Sequence, residues 1–89
     1  YSLADQMKRA SISIPSNIAE GSARSNEKEQ LHFLHIARGS TSEIDTQLLI
    51  AKNLGFVSGE EYNKINEEII IIGKMLTKLI HSLQKSRNP

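Results

Sequence analysis

Residues 58–85 read SGEEYNKINEEIIIIGKMLTKLIHSLQK, and this stretch decides the fold class. It opens on Ser58 with Glu61 three residues later, the spacing of a capping box, in which each side chain accepts from the other's backbone N–H. Tyr62, Ile65, Ile69, Ile72, Leu76, Leu79 and Leu83 then recur three and four apart, an unbroken a/d heptad. Ile70, Ile71, Met75 and Ile80 fall off that seam. A helix apolar on two faces is either central in its fold or buries its second face in another subunit. We therefore assign Ile70, Ile71, Met75 and Ile80 to an oligomer interface and expect a homo-oligomer.

Upstream, Asn26 and Glu29 offer a cap and a reciprocal acid for a second helix. Leu34, Ala37, Thr41, Ile44, Leu48 and Ala51 form its seam, and Gly55 supplies a left-handed stop. Gly39-Ser40-Thr41-Ser42 is weak in helix propensity and marks close approach of a neighbouring helix. Four residues, Gly55 to Ser58, link the two helices and force an antiparallel hairpin. Each helix runs roughly 40 Å at 1.5 Å per residue. A first helix opens at Ser2, with Asp5 three residues on, and repeats Leu3, Met7, Ala10, Ile14 and Ile18. Pro15 lacks the N–H that the Ser11 carbonyl needs, so a kink or a division is expected there. Gly21, Ser22 and Ala23 mark the stop. The expectation is an all-α antiparallel up-down bundle in one domain, 1–89, with helices over 3–21, 27–53 and 59–86.

Composition narrows the function. The 89 residues carry a formal charge of +1, so only a local patch can attract nucleic acid. Aromatics are 4%, which argues against base stacking on an aromatic platform. The lack of cysteine excludes disulfides and thiolate metal sites and fits a reducing, cytoplasmic compartment. The longest apolar run, Ile69 to Ile72, is far short of the ~20 residues of a membrane span. No leader-like segment opens the chain, and its first residue, Tyr1 rather than Met, suggests a fragment.

Charged residues are unevenly placed. No acid follows Glu68, and Lys74, Lys78, His81 and Lys85 share one helical face, with Arg87 beyond. As a functional site this stripe binds phosphate. Its ordinary role is to complement the negative end of the helix. Lys8 and Arg24 are second candidates for phosphate. Arg9 suits a partly buried pairing with Glu20 or Glu43 between helices. Ser13, Ser16, Asn17 and Glu20 surround Pro15 and serve the backbone groups it frees. Glu29-x-x-His32, with His35, spells half of a di-iron site, but the other half is missing. No metal or other cofactor is assigned. Ser82-x-x-Lys85 lacks its companion motifs and no phosphate loop occurs, so no catalytic residue is assigned and no enzyme is expected.

Three segments carry a family resemblance: Gln6 to Gly21, with Ser13-Ile-Pro-Ser-Asn-Ile-Ala-Glu-Gly21 at its centre; Ala37 to Glu43 with Asp45 to Leu48; and Ala51 to Gly55. Together they resemble the four-helix bundle proteins encoded in the intervening sequences of bacterial 23S rRNA genes. That family is similar to the accessory variability proteins of diversity-generating retroelements. The resemblance implies one further helix before Tyr1 and a subunit that assembles into a ring, a pentamer. In the retroelement relatives the ring is basic and contacts nucleic acid and a reverse transcriptase. The expected function is a non-enzymatic, oligomeric bundle binding structured RNA or another nucleic acid. The competing expectation is an interaction scaffold whose ring docks a partner protein.

Overall fold

A computed structural model describes residues 2–87, apart from the side chains of residues 86 and 87. Three helices follow one another: α1, Leu3–Ser22; α2, Glu27–Asn53; and α3, Gly59–Arg87. Among the described residues there is no strand. Each helix start rests on a side-chain oxygen that accepts an otherwise unpaired N–H. Ser2 Oγ accepts from Asp5 N–H at 3.1 Å, and Asn26 Oδ1 from Glu29 N–H at 3.2 Å. At α3 the box is reciprocal, Ser58 Oγ to Glu61 N–H and Glu61 Oε1 to Ser58 N–H, both 3.0 Å. The Ser58 backbone N–H, and then its hydroxyl, hold the Glu61 carboxyl below the ordinary glutamate range. At the end of α2, Gly55 takes φ +80°, and Phe56 N–H closes onto Ala51 O at 2.9 Å. Lys52 Nζ sits 4.7 Å over the Tyr62 ring and ties α2 to the next helix.

One expectation for α1 narrows: of the kink or division expected at Pro15, the division is absent. The helix runs unbroken through Pro15, which lies on its exposed surface. Ser11, whose carbonyl loses its helical partner at Pro15, is itself an exposed residue, and no division is found. Asn17 Nδ2 donates to Ser13 O at 2.8 Å and to Ser13 Oγ at 2.9 Å, and Ser13 Oγ meets Ser40 Oγ across to α2 at 2.7 Å. Ser13 and Asn17 therefore fix α1 against α2, and Asn17 reaches the Ser13 carbonyl rather than the Ser11 carbonyl that Pro15 frees. The helix ends at Ser22 with Ala23 as its C-cap, where the Gly21-Ser22-Ala23 stretch places the stop, and Gly21 has a packing role as well. It is buried inside the last turn, where a Cβ would stand 3.2 Å from Phe33 Cβ and 3.3 Å from Gln30 O. Both neighbours are backbone or attached directly to it, so α1 must move off α2 to admit a larger residue. Gly21→Val is expected to cost ~1–3 kcal/mol, typical of overpacking. Urea unfolding measures it, and an unchanged midpoint would show that α1 docks elsewhere.

The central helix is α2. Both α1 and α3 pack on it, and their own backbones do not meet. Ala37, at 0% exposure, Leu34 and Leu31 of α2 join Leu76 and Ile80 of α3 in one core cluster, flanked by Ile18 and Leu83. Ser40 and Thr41 are buried as expected of a close approach, Ser40 towards α1 and Thr41 beside Gly73 of α3. The seam of α3 is narrower than its heptad. Ile69, Leu76 and Ile80 are buried, whereas Ile65, Ile72 and Leu79 are exposed. The reason is coverage: α2 packs along α3, whereas the side that carries Ile72 and Leu79 faces an open groove towards α1.

The result is an open arrangement. Its extents are 49 × 24 × 13 Å and its radius of gyration is 14.8 Å. A compact chain of this length has about 12 Å. Its accessible surface is 6206 Å². A folded monomer of this mass exposes about 5,200 Å².

Candidate nucleic-acid interface

The spacing of Lys74, Lys78 and His81, four and three residues apart, aligns them along one side of α3. The hairpin then sets α2 antiparallel beside them, with Thr41 against Gly73. That register brings Arg38 and Ser42 of α2 opposite Lys74, Thr77, Lys78 and His81. Between them runs an open cleft of ≈ 540 Å³, floored by Thr41, Gly73 and Ile70. No carboxylate and no Phe, Tyr or Trp ring lines it. Arg38 is half-buried, and its Nη2 donates to His35 Nδ1 at 3.1 Å. The lysines are exposed. Such a surface can neutralise phosphates, and it lacks the large aromatic rings of a base-stacking platform.

Arg38 was not among the candidates taken from the sequence. It stands alone in its own stretch, and only the hairpin register joins it to Lys74. Its signal was positional: Arg38 and Ser42 flank Thr41, a residue expected at a helix contact. Lys85 is exposed one turn beyond the cleft, outside its lining. The side chain of Arg87 lies outside the described residues.

The secondary candidates separate. Lys8 is exposed on α1 and takes no part in the cleft. Arg24 is committed within the chain: its Nη2 pairs with Glu20 Oε2 at 2.9 Å, and its guanidinium lies 5.0 Å from the Phe33 ring centre. Glu20 therefore pairs with Arg24, four residues on, rather than with Arg9. Glu43 accepts from Gln47 Nε2 at 3.1 Å. Arg9 is exposed instead of partly buried. Arg9 and Glu20 stand 11 positions apart on one unbroken helix, about 16 Å at 1.5 Å per residue, so Arg24 at i+4 is the nearer partner.

The proposed interface residues also divide. Ile70 borders the basic cleft, and Ile71 and Met75 are exposed, Met75 at 65%. Ile80, at 1%, is core and unavailable to a second subunit. A second groove, ≈ 740 Å³ and almost wholly apolar, opens between α1 and α3. Ile14, Pro15 and Ile18 form one wall, Ile72, Met75 and Leu79 the other, with Ile44 of α2 at the base.

His32 packs edge-on to Phe33, ring centres 5.3 Å apart, and His35 serves Arg38, so Glu29, His32 and His35 do not converge. Among the described residues no cluster of three or more acidic, histidine or cysteine side chains could hold a metal. Among them, too, no helix is long and apolar enough to cross a membrane.

The family model described as 23S rRNA-intervening sequence protein matches residues 1–78. Among solved structures, the chain is similar to a protein of unknown function from the S23 ribosomal protein family of Bacteroides thetaiotaomicron. The two are 25% identical and superpose with a TM-score of 0.87, over 90% of this chain and 74% of that one. No curated protein matches the chain.

Proposed function

The chain belongs to the 23S rRNA-intervening sequence protein family, and on that premise we propose that it is a non-enzymatic, oligomeric helical bundle that binds structured RNA or another nucleic acid. The binding surface is the cleft between α2 and α3. The observation that carries the reading is the meeting of Arg38 with Lys74, Lys78 and His81 around a cleft with no carboxylate. Cations without a neighbouring acid are neutralised most readily by an outside polyanion. The lack of Phe, Tyr and Trp in the cleft supports contact with the phosphate backbone rather than with unpaired bases. Lys85 extends the surface along α3.

Assembly completes the reading. Ile70, Ile71 and Met75 supply the apolar contact between subunits, and a ring, a pentamer by the family resemblance, repeats the cleft once per subunit. Repetition raises apparent affinity without any new kind of contact. A fourth helix, also implied by the resemblance, fits the apolar groove between α1 and α3. That groove favours the second reading as well, a scaffold that docks a partner protein.

Light scattering of the purified protein with bacterial RNA, at low and high salt, tests the proposal. A discrete oligomer that gains mass with RNA only at low salt is the expected result, because phosphate contacts release counterions. An oligomer indifferent to RNA would transfer the function to the scaffold reading. A stable monomer would remove the ring.

A further inference from the structure

We propose that Arg38 is the anchor of the α2–α3 cleft, gripping one phosphodiester through its guanidinium fork, and that His35 is its positioning residue. The inference rests on the nucleic-acid reading above and deepens it.

The cations of the cleft are not equivalent. Lys74 and Lys78 are exposed ammonium groups on flexible stems, and each acts as a point charge. Arg38 is half-buried between two helices and is tethered, Nη2 to His35 Nδ1 at 3.1 Å. A guanidinium has five N–H donors and no acceptor, so in this bond His35 Nδ1 must be the acceptor. His35 is then the neutral tautomer carrying its proton on Nε2. One donor is used to hold the group, and the others remain to bind. A planar fork already held in place matches two oxygens of one phosphate, at a smaller entropic cost than a free lysine. The hydroxyls of Ser42 and Thr77 border the same cleft as further donors. Arg24 shows the contrast: its fork is taken up by Glu20 and its face by Phe33.

Fluorescence anisotropy with a labelled RNA hairpin, at several salt concentrations, tests the anchor. Wild type is compared with R38Q, R38K and H35A, each checked for its thermal transition. Arg38→Gln removes one phosphate contact, so affinity should fall about tenfold at 0.1 M salt and the salt slope by about one. Arg38→Lys keeps the charge and hence the slope, but should stay several-fold weaker because the fork is gone. His35→Ala should weaken binding with the slope unchanged. In the ¹⁵N spectrum of the free protein, His35 should carry its proton on Nε2. An Arg38→Lys protein that binds like wild type would overturn the anchor and leave the nucleic-acid reading standing. So would an Arg38→Gln protein with unchanged affinity. A wild-type protein that binds no hairpin at any salt would overturn the nucleic-acid reading itself, and the anchor with it.

Discussion

Replacing Ile80 with alanine is expected to destabilise the fold by ~2–5 kcal/mol, the cost of emptying a buried aliphatic site. Ile80 is 1% exposed and packs among Leu31, Leu34, Ala37 and Leu76, where α2 meets α3. The backbones of α1 and α3 do not meet, so among the described residues α3 is held mainly through its packing on α2, and Ile80 is at the centre of that packing. Little other structure can collapse into the space left by the lost side chain. For a domain of 60–100 residues each kcal/mol moves the thermal midpoint by ~4–8 °C, so the shift should be large. Met75→Ala is the control. It lies on the same helix at 65% exposure within the subunit and should change folding of the unassembled chain by no more than about 0.5 kcal/mol. Both are measured at one protein concentration, because association adds to apparent stability. A loss below about 0.5 kcal/mol at Ile80 would show that its side chain is not enclosed. Equal losses at the two positions would show that Met75 is enclosed as well, by a neighbouring subunit.

The second large effect is on binding. Reversing charge at Lys74, Lys78 and Lys85 together should nearly abolish association with RNA at 0.1 M salt. Removing three phosphate contacts flattens the salt slope by about 2.7, which at that concentration is a loss on the order of 10²–10³-fold. The new carboxylates would repel phosphate further. The fold should survive, since all three side chains are exposed. Only the small interaction with the negative end of α3 is lost, about 0.3–1 kcal/mol for each site near the terminus. Binding isotherms of wild type and the triple variant across salt concentrations give the answer. An unchanged slope would sink the cleft as the contact surface. An equal loss on reversing Lys8 alone would mean that binding is diffuse over the surface rather than centred on α3.

Much of this fold was legible in the chain. Helices expected over 3–21, 27–53 and 59–86 are found at Leu3–Ser22, Glu27–Asn53 and Gly59–Arg87. The Ser2, Asn26 and Ser58 caps and the Gly55 turn act within a few residues, so they need no knowledge of the rest of the molecule. The Glu20–Arg24 pair was equally local, at i, i+4, and was passed over for a longer-range partner. The candidate site was half legible. Lys74, Lys78 and His81 share a face by spacing alone, whereas Arg38 is 36 positions before Lys74 and reaches it only through the hairpin.

The all-helical class, the ends of the helices and the antiparallel hairpin followed from caps, periodicity and loop length, because these interactions are closed within one turn or one loop. Packing between helices settled the remainder: that α2 is central, that Ile80 is core while Ile72 and Leu79 face an open groove, and that Arg38 joins the lysines. Periodicity specifies the angle between two apolar faces of a helix. Which face is buried depends on where another helix lies, and that is set by contacts between residues far apart in the chain.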